Sequence, residues 1–131
     1  MGTIPVSLHG GHTTVFDGKT GARPMVEAAL AAGMEVFGLS EHFYRPREER
    51  YMYGEEDRST DWGRRGWPGF AEEVLTLKEE AARSGGMQVL LGAEVEYLRS
   101  YRDWTVEELS HWPLDYVVIS VHWVWAGERA F

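Results

Sequence analysis

Short apolar runs alternate along this chain with longer stretches whose apolar positions recur at helical spacing. Residues 4–8 read as a first strand, with Pro5 near its start, where a missing N–H is tolerated. A Gly- and Thr-rich loop follows to Gly21. Pro24 then falls at a first helical position, and Met25, Ala28, Ala29 and Ala32 recur at helical spacing until Gly33 closes the helix. Residues 36–39 form a wholly apolar run of the kind found in buried parallel strands. Phe70, Val74, Leu77 and Ala81 predict a second helix, stopped by Gly85-Gly86. Residues 87–91 give a third strand. A short third helix is expected from Trp104, with Thr105 and Glu108 as a capping box, Trp104 and Leu109 as a hydrophobic staple, and Pro113 as its end. Residues 115–121 give a fourth strand. The stretch 44–67 shows no apolar periodicity and reads as a long loop, either functional or a solvated excursion.

The resulting order, β-α-β-loop-α-β-α-β, predicts an α/β domain of about four parallel strands joined by right-handed crossovers. No internal repeat or linker divides it, so residues 1–131 are expected to form a single domain. In parallel α/β folds the C-terminal strand ends share one face, where ligands gather. Each strand here runs toward a histidine or a glutamate: His9 and His12, then Glu41-His42, then Glu94, then His122. Four of the five histidines occupy such positions. The fifth, His111, falls near the end of the third helix, where a protonated ring favours the dipole, and reads as structural.

Composition narrows the chemistry these residues can carry. Cysteine is absent from the 131 residues, so any bound metal must be held by imidazole and carboxylate, a donor set that suits Zn, Mn or Fe. The net charge of −8 argues against a nucleic-acid partner or an anionic membrane surface. It does not argue against an anionic substrate, because bound cations reverse the local sign. No apolar run reaches membrane length, and the first residues lack the marks of a signal peptide, so a cytoplasmic location is the default expectation.

The spacing of the candidate ligands leaves some choices open. His9 and His12 are separated by two glycines, so at least one lies beyond the strand, and the glycines let the backbone curl toward a common ion. Asp17 lies five residues further and is within reach of the same site. Glu94 and Glu96 point to one side if their strand continues, which leaves one as a ligand and the other as a solvated rim carboxylate. His42 reads either as a ligand or as a cap.

Four segments resemble the polymerase-and-histidinol-phosphatase (PHP) superfamily, and within it the histidinol-phosphate phosphatases. They are Ser7-Leu8-His9-Gly10-Gly11-His12-Thr13, Gly38-Leu39-Ser40-Glu41-His42-Phe43-Tyr44-Arg45, Gly92-Ala93-Glu94-Val95-Glu96-Tyr97, and residues 115–122 ending in Ser120-Val121-His122. The resemblance implies part of a distorted TIM-like (β/α)7 barrel with two or three divalent ions at the strand C-termini. It implies that His12, His42, Glu94 and His122 are metal ligands, with His9 and Asp17 beside them, and that Arg45 grips a phosphate with its fork of donors. It further implies hydrolysis of a phosphate monoester, histidinol phosphate, in histidine biosynthesis. The family usually opens with His-x-His, whereas this sequence has His-x-x-His. The family barrel is also about twice as long and adds a later histidine and an Asp-x-His pair to the metals. The 131 residues are therefore expected to be the N-terminal half of such a barrel, truncated at the C-terminus and with weak or absent turnover by themselves.

Other readings use other features. A nuclease-like phosphoesterase of the same superfamily would need a basic groove that this composition does not offer. The six tryptophans and six tyrosines, several within 44–67, would suit a non-catalytic binding surface. An exposed fourth strand at the sheet edge would favour a homo-oligomer.

Overall fold

The computed structural model describes residues 5–46 and 58–122, with side chains of the second segment from residue 64, together with the short strands Trp125–Ala126 and Arg129–Ala130. Four parallel strands lie in sequence order, β1 (Val6–Ser7), β2 (Val36–His42), β3 (Gln88–Glu96) and β4 (Tyr116–Ser120). Strictly sequential order is that of a barrel arc, not of a sheet wound in both directions from its centre. Helices α1 (Ala22–Ala31), α2 (Arg58–Ser84) and α3 (Arg102–Ser110) connect the strands, and β5 (Trp125–Ala126) and β6 (Arg129–Ala130) pair antiparallel beyond them.

The core lies between the helices and one face of the sheet. Phe37, Leu39, Val89, Leu91, Ala93 and Val95 alternate out of β2 and β3 onto Val26 and Ala29 of α1 and Phe70, Val74 and Leu77 of α2. The expected face of α2 is therefore the buried one. In α1 the buried residues are Ala22, Val26 and Ala29, whereas Ala28 and Ala32 are exposed. This helix is so rich in alanine that its apolar period has more than one solution, and packing selects among them. Pro24 stands third in α1, still within the first turn, where its missing N–H is harmless. Gly33 and Gly85 follow α1 and α2 at φ +76° and +70°, as helix-closing glycines.

Two expectations change. The stretch 44–67 is not a loop throughout, since α2 begins at Arg58 and contains Pro68. Gly66, Pro68 and Gly69 lie inside this helix, and a Cβ on Gly66 would lie 2.5 Å from Val15 Cγ1, so this glycine is required for close approach to the first loop. Residues 47–57 lie outside the described part. The capping box does not form either. Helix α3 starts at Arg102, ahead of Thr105, and no side chain caps it. Glu108 instead accepts a 2.7 Å hydrogen bond from the Tyr44 hydroxyl, a long-range partner that local pattern cannot reveal.

The opposite, concave face is built of small residues at its centre. Gly38 of β2 and Gly92 of β3 lie under the Tyr116 ring, and a Cβ on either would run into it. Gly92→Ala is expected to cost about 1–3 kcal/mol by overpacking. In a Tyr116→Ala background the same change becomes nearly silent, a coupling that urea denaturation of the four-member cycle measures. If Gly92→Ala is equally harmful in both backgrounds, the ring is not what restricts it.

β4 forms one edge of the sheet. Val117, Ile119 and Val121 are exposed on it, with Ile119 at 69%. Asp115 anchors its start, accepting from the Leu91 N–H at 2.9 Å and pairing with Lys78 of α2.

Candidate metal centre

β2 and β3 run further than their apolar cores suggest, and this extension builds the site. β2 continues to His42 and β3 to Glu96, so Glu41, His42, Glu94 and Glu96 are strand residues with fixed directions. The register places His42 beside Glu94, and Glu94 beside Val118. Ser40, His42, Gly92, Glu94 and Glu96 then share the concave side by two-residue alternation.

The first loop arrives over this ledge. The Gly10 N–H donates to the Gly38 carbonyl at 3.0 Å, and a Cβ there would lie 2.5 Å from the Phe37 ring. Gly11 adopts φ +103°, which turns the chain between the two histidines. Both rings consequently face the same carboxylate. The Nε2 atoms of His9 and His12 lie 3.7 and 3.2 Å from Glu94 Oε2, and His42 Nδ1 lies 3.6 Å from the same oxygen. The His-x-x-His spacing thus leaves neither histidine excluded.

Glu94 is 5% exposed, and its Oε2 has no hydrogen-bond partner among the described groups. A buried carboxylate oxygen without a donor is costly unless a cation completes it. Three imidazole nitrogens around one such oxygen form a donor set that fits a divalent ion. His9, His12 and Glu94 form one group of potential ligand atoms, and His12, Asp17 and His42 form a second, with the atoms of each within 4.8 Å of one another. His12 belongs to both. His122 approaches the other side, its Nε2 3.4 Å from Glu94 Oε1, an oxygen that also accepts from Ser120 Oγ at 2.5 Å. His9, His12, Asp17, His42, Glu94 and His122, the six residues expected as ligands, therefore converge.

The charges within the cluster shift its protonation. Burial lowers the pKa of His42, and neighbouring His12 lowers it further, against the opposing pull of Glu94, Asp17 and Glu41. Burial alone would raise the pKa of Glu94. The Ser120 hydrogen bond and the His42, His12 and His9 rings outweigh it, so the carboxyl lies below its ordinary value. Both shifts favour the forms that bind metal, neutral imidazole and ionised carboxylate.

Glu96 is not a solvated rim carboxylate. It is 6% exposed, accepts the His122 N–H at 2.9 Å, and hydrogen-bonds His122 Nδ1 through its other oxygen. Arg45 lies beside it, with Nη2 3.7 Å from Glu96 Oε2. Sequence reasoning also passed over Ser40, which bonds His9 Nδ1 at 2.8 Å, and Glu41, which bonds His12 Nδ1 at 3.1 Å. A carboxylate two residues past an apolar run was the available signal for Glu41. Its adjacency to His42 drew attention to the histidine instead. His111 is the C-cap of α3, away from this cluster.

The fold and this cluster define an α/β half-barrel with a histidine- and carboxylate-lined site at the C-terminal ends of its strands. The chain belongs to the PHP domain family, whose profile matches residues 8–130. A solved structure from Listeria monocytogenes, described as a "putative histidinol phosphatase", resembles it with a TM-score of 0.75 at 21% sequence identity. The match covers 91% of this chain and 46% of that one, so this chain spans about half the length of that relative. At this identity the likeness concerns the fold. No curated protein sequence matches the chain. Among the described residues no helix is long and apolar enough to cross a membrane.

Proposed function

We propose that this domain belongs to a metal-dependent phosphomonoester hydrolase acting on histidinol phosphate, in histidine biosynthesis. The observation that carries the reading is the bare, buried Oε2 of Glu94 facing three imidazole nitrogens. His9, His12, His42 and Glu94 would hold divalent ions, with Asp17 and His122 at either side. Bound there, such ions supply Lewis acidity toward a phosphoryl oxygen and lower the pKa of water.

The chain's own residues do the rest. Arg45 presents a planar fork of donors on the His122 side of the cluster, suited to two oxygens of one phosphate. Its proximity to Glu96 keeps that guanidinium near the ligand histidine. Phe16 stands 4.7 Å from the His42 ring and gives the site an apolar wall, which limits access of bulk water. The substrate choice draws on the family and on the description of the Listeria protein. The acidic balance of the chain favours a small phosphate ester over a polynucleotide.

Metal content of the purified chain and phosphate release with added Mn or Zn test this together. Histidinol phosphate and single-stranded DNA are compared side by side, with His12→Ala/His42→Ala as the background. Bound divalent metal and phosphate release above that background are expected. A chain that takes up no divalent ion, or that cleaves DNA and spares the monoester, would sink the proposal.

A further inference from the structure

We infer that Glu41 is a positioning residue, a carboxylate that holds His12 in the tautomer able to bind metal; this deepens the metal-site reading above and rests on it. Glu41 is 1% exposed, the last residue but one of β2, and alternation puts it on the face that carries Phe37 and Leu39 into the core. Its Oε2 accepts from the Thr13 N–H at 2.6 Å and the Thr13 hydroxyl at 2.7 Å. Its Oε1 accepts from the His42 N–H at 3.0 Å and lies 3.1 Å from His12 Nδ1. Backbone N–H groups only donate, so both oxygens are already committed as acceptors. The contact to His12 is then an Nδ1–H donated to Oε1. This leaves the lone pair of His12 on Nε2, the atom 3.2 Å from Glu94 Oε2.

Glu94 and Glu41 thus divide the work between two buried carboxylates. Glu94 keeps an oxygen without a donor and faces the imidazoles, whereas both oxygens of Glu41 accept from donors. Glu96 stands in the same relation to His122, taking both its N–H and its Nδ1. Because His12 is common to both groups of potential ligand atoms, its ring orientation affects both.

Glu41→Gln keeps the shape and reverses the hydrogen-bond sense. With the amide oxygen kept toward the two Thr13 donors, the NH2 faces Nδ1, which then must accept, so the proton moves to Nε2 and the His42 N–H loses its acceptor. Two measurements are made on the full chain. The first is the 15N shifts of the His12 ring in the metal-free wild type, at a pH where the ring is neutral. The second is the affinity for Mn or Zn by calorimetry, wild type against Glu41→Gln. The Nδ1–H tautomer is expected in the wild type, and the variant should show the Nε2–H form and bind metal about 10–100-fold more weakly. An Nε2–H tautomer in the wild type, or an unchanged affinity in a folded Glu41→Gln, overturns the inference. If the variant does not fold, the wild-type tautomer still decides. Because that measurement needs no metal, failure of the metal reading and failure of this one are distinguishable.

Discussion

Glu94→Gln is expected to weaken divalent-metal binding by at least about 100-fold, which corresponds to ~2.8 kcal/mol. Three imidazole nitrogens face Glu94 Oε2, so this carboxylate is the common point of the donor set. An amide of the same shape keeps the acceptor for Ser120 Oγ but supplies no negative charge. The metal-free variant should lose only a little stability, because Ser120 and the three rings favour the ionised carboxyl while one of its buried oxygens has no donor. The loss of binding should therefore far exceed the loss of metal-free stability, a result that general misfolding cannot imitate. Thermal unfolding with and without metal reads both, since a ligand that binds only the folded state raises the midpoint according to its affinity. A variant that keeps the metal-induced shift would show that Glu94 is not a ligand.

Acid should act on the same cluster. A histidine whose folded pKa is lowered, as at His42, costs stability as pH falls below its unfolded value of about 6.5. A carboxyl whose folded pKa is lowered, as at Glu94, contributes stability above its unfolded value and loses it as pH falls through the folded one. The two signs agree. Metal affinity and metal-free stability should both decline on acidification, the histidine first and the carboxylate at lower pH.

Trp67→Ala is expected to cost about 3–5 kcal/mol, a large share of the roughly 5–15 kcal/mol that holds a domain folded. Trp67 is 0% exposed and meets Phe43, Phe70 and Trp112 at ring distances of 4.8, 5.4 and 6.1 Å. These rings come from the end of β2, from α2 itself and from the turn after α3, so one side chain ties three parts of the chain together. Its Nε1–H is buried without a hydrogen-bond partner among the described groups. Trp67→Phe removes that donor and keeps an aromatic ring, so its loss should be well below that of alanine. Urea denaturation of both variants ranks them. Equal losses would mean that ring packing is not the source of the stability. The same residue bears on the aromatic content of 44–67, of which the side chains of Tyr51, Tyr53 and Trp62 lie outside the described part. Trp67 is core, and Trp104 and Trp112 are partly buried against it, so these three do not form a free binding surface.

Much of the fold was legible because period and punctuation are local. The apolar runs at 36–39 and 87–91, the stripe Phe70-Val74-Leu77 and the closing glycines 33 and 85 each follow from a few neighbouring residues. The convergence of His9, His12, His42, Glu94 and His122 was legible as a consequence of topology, because parallel strands bring their C-terminal ends to one side. What failed was local punctuation with a distant cause. Residues 58–67 show no apolar period and read as loop, yet they belong to α2, where Gly66 lets Val15 approach. Thr105 and Glu108 resemble a cap until Tyr44 claims Glu108 across 64 residues.

From the sequence by itself come the parallel α/β order, a metal chemistry limited to imidazole and carboxylate, and the residues placed at the strand ends. Which carboxylate does what was decided only in three dimensions. Glu41, Glu94 and Glu96 are alike in one dimension, each a carboxylate shortly after an apolar run. Strand alternation turns Glu94 and Glu96 to the concave side, and long-range partners then separate the three: Thr13 and His12 for Glu41, His122 for Glu96, and for Glu94 an oxygen left bare among three rings. Those partners come from distant parts of the chain, so no local pattern encodes them.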